Sequence, residues 1–305
     1  MRDPPPLPEL ETLVRGLSPG GTSPEAARLL LCLQARLMER AVPEALAGLG
    51  PGPLHDARVA GRRLRVGVLL FLPLYPSVSA PVAAAARRVT RGLREARDMD
   101  VRSGHLRSLL QRRQRRRDER MLLERLLACA EAGRRAARRS AALAGLGRLA
   151  LEGLLRGLWN PRRPMAAEAE RHATGLLAAL SVESSARIGT ASVEGLSGVQ
   201  HRLRISCKEL RYSLEMVRWR MGEGVMPRLR TLRRAQDVLG ELHDLDLLLA
   251  YLAGHGRRAG RADRPACGRL IGEVGEKRRA VFLTFLGMRD RLEGACAPLE
   301  GMRNF

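Results

Sequence analysis

The stretch HDARVAGRRLR, His55–Arg65, returns in altered form as HRLRISCKELR, His201–Arg211. In both, a histidine leads basic side chains spaced three and four residues apart. At 100° per residue, His55, Arg58, Arg62 and Arg65 fall within an arc of about 80° on one helix face. Ala57, Gly61, Leu64 and Val68 fall on another, forming an apolar stripe. The second stretch divides the same way. His201, Arg204, Lys208 and Arg211 share one face, and Leu203, Cys207, Leu210 and Leu214 the other. Each stretch therefore reads as a helix that packs on one side and presents cations on the other.

The likeness extends outward in one register. An offset of 146 pairs the two histidine stretches, pairs Arg87-Arg88 with Arg233-Arg234, and pairs ARDMDV (96–101) with LHDLDL (242–247). Asp98 and Asp100 thereby match Asp244 and Asp246. Farther on, RRA at 134–136 resembles RRA at 278–280, with the offset now 144. Two matching segments in one register point to an internal duplication of a helical unit.

Helix start and stop signals give the expected elements. Thr22 or Ser23 caps a helix over 24–46 with Pro24 in its first turn, and GPGP at 50–53 stops it. Further helices are expected over 54–72, 82–97, from 98 into the arginine tract, and over 119–158. NPRRP at 160–164 is the clearest break. The pattern then restarts over 165–190, 194–221, 225–242, 244–256 and 264–292, with a charged loop at 254–265. The expected organisation is a lead-in over 1–21, a first repeat over 22–158, a second over 165–292, and a tail over 293–305. Aromatic residues are only 3% of the chain and β-branched residues are sparse, which favours an all-α fold over a sheet protein.

The 305 residues carry a formal net charge of +22, with apolar residues at 45%. The apolar content is enough for a core, and the charge selects polyanions as partners. Five scattered cysteines without a CxxC pair read as reduced thiols in a cytoplasmic protein, with no zinc site. The start of the chain lacks the pattern of a signal peptide, and no apolar run reaches membrane-spanning length.

Like charges at three- and four-residue spacing repel, so each basic stripe needs a compensating partner. Asp98, Asp100, Asp244 and Asp246 are candidates to orient the stripes from within. Bases outnumber acids, which leaves capacity for a bound polyanion, and the arginine fork matches phosphate oxygens. Arg87, Arg88, Arg91 and Arg94, with Arg228, Arg230, Arg233 and Arg234, either extend this surface or face solvent. The tract RSLLQRRQRRRDER, Arg107–Arg120, either sits at the mouth of the same cleft or is a solvated face. A metal site at His55, His201, Asp98 and Asp244 is disfavoured by the surrounding positive charge.

HDARVAGRRLRVGVLLF followed by LREARDMDV, and HRLRISCKELRYSLE followed by LGELHDLDLL, resemble the two halves of the CHAD family, the conserved histidine α-helical domain. The resemblance covers roughly residues 22–292. It implies two similar four-helix-type bundles related by a pseudo-twofold axis, with a basic cleft between them. It also implies binding of inorganic polyphosphate and association with polyphosphate granules, without a cofactor. By motif match it places His55, Arg58, Arg62, Arg65, His201, Arg204, Lys208 and Arg211 at the ligand. Family members often carry a triphosphate-tunnel domain, and nothing here resembles one, so a standalone binder is expected. Lys208 stands where the first repeat has Arg62, and Tyr212 where it has Val66.

Two other function classes are weighed against the binder. Nucleic-acid binding would use the same charge. Two Trp, three Tyr and four Phe nevertheless leave few stacking platforms, and no zinc finger or RNP-like stretch is present. A polyphosphate-processing enzyme would need a carboxylate-held metal or an activated nucleophile. The Asp-x-Asp pairs lie among arginines, which favours orienting ion pairs, and no catalytic residue is assigned.

Overall fold

The computed structural model describes residues 3–19, 21–145, 152–159, 166–258 and 260–298, and every regular element among them is helical. The Pro-rich start contains a short helix, α1 (Leu7–Arg15), whose Leu10 is fully buried. Helix α2 (Ser23–Ala47) begins where expected: the Thr22 hydroxyl accepts from the Glu25 amide at 3.4 Å. It ends at Gly48, whose φ of 81° is the left-handed C-terminal turn that glycine adopts without strain.

The basic stripe of the first repeat lies on α3 (Pro51–Leu70), which stops before a 3-10 turn at Leu72–Leu74. Then follow α4 (Ser79–Gly92), α5 (Arg94–Leu110), α6 (Arg117–Leu143) and α7 (Glu152–Trp159). The single helix expected over 82–97 is thus divided at Leu93, which leaves helical geometry with φ −92° and ψ 4° after Gly92. NPRRP lies outside the described residues.

The second half comprises α8 (Ala166–Ala191), α9 (Ser197–Met221), α10 (Met226–Arg258), α11 (Arg264–Leu286) and α12 (Arg289–Cys296). Here the structure joins what the pattern separated. The segments expected over 225–242 and 244–256 are one helix of 33 residues, reaching into the stretch expected as a loop. By the 146-residue offset, α10 occupies the place of both α4 and α5.

Burial follows the apolar stripes. Ala57, Leu64 and Val68 on α3, and Leu203, Cys207, Leu210 and Leu214 on α9, are all within 1% of fully buried. Gly61 serves close packing: a Cβ there would sit 3.3 Å from the Ala86 carbonyl oxygen and 3.1 Å from Thr90. The five cysteines are free thiols, and burial pushes the Cys32 thiol up to about 12.

Two hydrophobic clusters result, and each draws on both repeats. The larger draws on α1–α4 and α8–α10, takes in residues of α5, α6, α7, α11 and α12, and includes Met38, Leu64, Leu203 and Leu239. The smaller is built from α5, α6, the C-terminal half of α10, and α11, with Leu106, Leu122, Leu248 and Leu270 at its centre. Equivalent ion pairs hold the two halves. Arg134 on α6 donates to Asp100 on α5 at 3.0 Å, and Arg278 on α11 donates to Asp246 on α10 at 2.5 Å.

The arginine tract closes the smaller cluster. The Arg115 side chain is 4% exposed, donates twice to the Leu109 carbonyl, and meets Glu273 of α11 at 2.6 Å. Glu119 on α6 accepts from Arg269 of α11 at 2.5 Å, a second bridge across this lobe. Removing one partner of a buried pair leaves the other charge uncompensated. Arg115→Ala is therefore expected to lose about 3 kcal/mol of stability, read from the urea midpoint. An unchanged midpoint would mean that the apolar contacts alone close this lobe.

Candidate functional site: a cationic cleft

Helices α3 and α9 lie side by side, bridged by two ion pairs. Arg65 donates to Glu209 at 2.6 Å, and Arg63 to Glu215 at 2.9 and 3.1 Å. These contacts turn the two basic stripes toward one cleft of about 680 Å³, walled also by α5 and α10. Its lining holds eight arginines, Lys208 and three histidines against three aspartates. A smaller hollow of about 260 Å³ shares Arg58, Arg62 and Lys208 with it and adds Arg65, Arg87 and Arg91.

Of the twelve cations expected at the site, ten line these two spaces: His55, Arg58, Arg62, Arg65, Arg87, His201, Arg204, Lys208, Arg211 and Arg233. Arg88 and Arg234 do not. Arg88 donates to the Ala144 carbonyl at 2.9 Å, and Arg234 is exposed. Consecutive helical residues point about 100° apart, so Arg87 and Arg233 reach the site while their neighbours turn away.

The four acids divide for the same reason. Asp98 and Asp244 line the cleft. Asp100 and Asp246, about 200° further round their helices, point to the opposite side and engage Arg134 and Arg278. They orient the helices rather than the basic stripes. The tract around Arg115 also lies elsewhere, since Arg112 and Arg115 pair with Glu273 in the other lobe.

The cleft cations are held by hydrogen bonds that leave much of their charge unmatched. Arg58 donates to the Thr90 carbonyl, and Arg211 to Gln236 at 3.0 Å and to Glu215. Tyr212 sits between two arginines. Its ring lies 4.4 Å from the Arg211 guanidinium and 5.6 Å from that of Arg63. Arg204 lies against Gly240, where a Cβ would stand 3.3 Å from its Nε. That Nε is buried without a partner, as is His201 Nδ1.

Sequence reasoning left out Arg97 and His243. Both line the cleft, directly before Asp98 and Asp244 in chain order. The signal was present, because the same offset pairs them. His243 stacks on His201 with ring centroids 4.1 Å apart.

Electrostatics show how strongly the site resists its own charge. Burial, aided by Arg62 and Arg204, lowers the Lys208 ammonium to about 7. No carboxylate pairs with Lys208 among the described residues, since neighbouring Glu209 is held by Arg65. Burial also brings Arg58 down to about 10, with Arg62 adding to the effect. Burial, then His201 and Arg204, lowers His243 to about 4. His55 and His201 shift down through burial first and nearby arginines second. Burial pushes the Asp244 carboxyl up, against the pull of Arg204. Among the described residues, no group of three or more His, Cys, Asp or Glu side chains is placed to hold a metal ion.

Fold and site together define an all-helical protein built around a strongly cationic interior cleft. The model of the CHAD domain matches residues 29–253, and the chain belongs to that family. The CHAD domain crystal structure from the plant Ricinus communis is similar at a TM-score of 0.65 and 22% identity, covering 93% of this chain and 94% of that one. PptA from Streptomyces chartreusis is similar at a TM-score of 0.63 and 20% identity, covering 88% and 99%. At these identities the likeness is one of fold. No curated protein matches the chain.

Lys208 carries a pH signature. Below about 7 it is charged in both folded and unfolded chains, and its burial cost is present in full. Between about 7 and the ordinary 10.5, the unfolded chain binds the extra proton, so this contribution to stability improves as pH rises. Lys208→Met is accordingly expected to stabilise the protein by about 2 kcal/mol more near pH 6 than near pH 8.5. Urea unfolding of both proteins at the two pH values measures this, and a pH-independent difference would contradict it.

Proposed function

We propose that the cleft binds inorganic polyphosphate and that the protein is a binder rather than an enzyme. One observation carries this reading: buried cations are held together with far too few acids, and their charged forms are destabilised by burial and by one another. A polyanion lying in the cleft relieves that cost along its whole length. Its oxygens supply acceptors for the arginine forks and for Lys208. A chain of bare phosphates needs no stacking platform, and Tyr212 is the one aromatic residue of the Phe, Trp and Tyr type among the cleft-lining residues. Family membership supports the same ligand class. Among the described residues no helix is long and apolar enough to cross a membrane. Residence in the cytoplasm, on polyphosphate granules, follows from this reading.

Arg62→Ala and Lys208→Ala are each expected to weaken binding of long-chain polyphosphate about tenfold, and together about a hundredfold. Circular dichroism should show the fold retained. An unchanged affinity in the double variant would move the site elsewhere. Competition by duplex DNA and RNA at physiological salt tests the ligand class, and equal or tighter nucleic-acid binding would reject the proposal. Incubation with polyphosphate and Mg²⁺ is expected to release no phosphate; sustained turnover would make the protein an enzyme.

The same lysine predicts a pH profile. Bound phosphate favours charged Lys208, so binding above about pH 7 requires proton uptake, and affinity falls as pH rises from there. Lys208→Arg, which keeps its charge, is expected to flatten that fall. Titrations at several pH values distinguish the two proteins.

A further inference from the structure

Among its many arginines the chain has only two lysines, Lys208 and Lys277, and their surroundings are opposite. Lys277 on α11 is exposed and bound to Glu241 at 2.8 Å. Lys208 on α9 is 9% exposed and lines both cationic hollows, at the seam where they share residues. Its amino group makes no hydrogen bond or ion pair among the described residues. It is not sealed off either: the nitrogen keeps accessible surface in the cleft.

The charged groups around it come from every wall. Arg62 and Arg65 face it from α3, and Arg204 and Glu209 from its own helix. Arg94 of α5 lines the same two hollows, and His201 and His243 feel its charge. Glu209 is held by Arg65, so no acid is left to keep the ammonium charged. With Lys208 brought to about 7, much of it is free amine at neutral pH. An ordinary lysine, at about 10.4, is almost wholly ammonium there. Burial beside cations is a recognised way to turn a lysine into a nucleophile.

We infer that the cleft directs acylation of Lys208 by small acyl phosphates, the phosphate resting on the surrounding arginines and the acyl carbon turned to Nζ. The smaller hollow, about 260 Å³, sets six arginines and one acid around this amine, which suits a phosphate dianion joined to a compact acyl group. In the reaction the Nζ lone pair attacks the acyl carbon and an N–C bond forms. The C–O bond to phosphate breaks, and its electron pair leaves on the phosphate oxygen. The proton lost by the amine goes to that phosphate. Arginines placed at the departing oxygen stabilise the charge that develops there. Polyphosphate offers only phosphorus centres screened by anionic oxygens, so it leaves the amine unmodified. Acylation removes a cation shared by both hollows and weakens their hold on a polyanion. That consequence rests on the polyphosphate reading; the modification itself does not.

Acetyl phosphate is the probe, applied near neutral pH to the full chain after a high-salt wash to remove polyanions. Peptide mass spectrometry is expected to show Lys208 acetylated at least about tenfold faster than Lys277. Acetic anhydride, an acylating reagent without a phosphate, is expected to lower that preference at least about threefold. Arg62→Gln should slow the acetyl phosphate reaction at Lys208 about tenfold and the anhydride reaction less, with circular dichroism confirming its fold. The inference is overturned by equal modification of the two lysines, by the same preference with both reagents, by equal slowing of both in the variant, or by phosphate rather than acetyl on Lys208. These spectra are taken without polyphosphate, so their failure leaves the binder reading standing. Failure of the unmodified protein to bind polyphosphate rejects that reading alone.

Discussion

The paired contacts between α3 and α9, Arg65 with Glu209 and Arg63 with Glu215, decide what the rest of the molecule can be. Each helix carries one apolar and one cationic stripe. Without a bridge, two cationic stripes would repel and rotate apart. The two ion pairs use acids of α9 to hold arginines of α3, so the remaining cations face a shared space. The apolar stripes are then directed outward from that space, into the large hydrophobic cluster.

Charge held in this way opposes stability, and the two apolar clusters offset it. Lys208, Arg58 and His243 all sit in surroundings that favour their uncharged forms. A fold selected for stability alone would place Leu or Met at these positions. The cleft is instead preorganised: the Thr90 carbonyl fixes Arg58, and Gln236 and the Tyr212 ring help hold Arg211, by contacts that carry no negative charge. Binding energy is thereby left for an anion from outside.

Much of this was legible in the sequence, for identifiable reasons. Helix periodicity placed both basic stripes and both apolar stripes, because burial and charge alternate there with a clean period. The register of the repeat placed Asp98 beside Asp244 in function. It did not say which acid of each Asp-x-Asp pair faces the cleft, because that depends on helix rotation in the packed state. Asp100 and Asp246 found Arg134 and Arg278 instead, two arginines whose repeat register was visible but whose partners were not. The continuity of α10 was also hidden. Its sequence carries Gly240 and a polar HDLD stretch, and only the packing of Arg204 against Gly240 shows why the helix does not break there. Helix α1 escaped notice because prolines dominate the segment, although Pro is well tolerated in a first helical turn.

The unbroken α10 faces a counterpart that is divided at Leu93 into α4 and α5. One wall of the cleft is therefore a single stiff beam that also carries the smaller hydrophobic cluster at its far end. The opposite wall is jointed. The beam carries Gln236, His243 and Asp244 on one continuous helix, whereas Arg87 and Asp98 stand on two separate ones. Two segments of like sequence thus line the cationic spaces with one continuous wall and one made of two pieces.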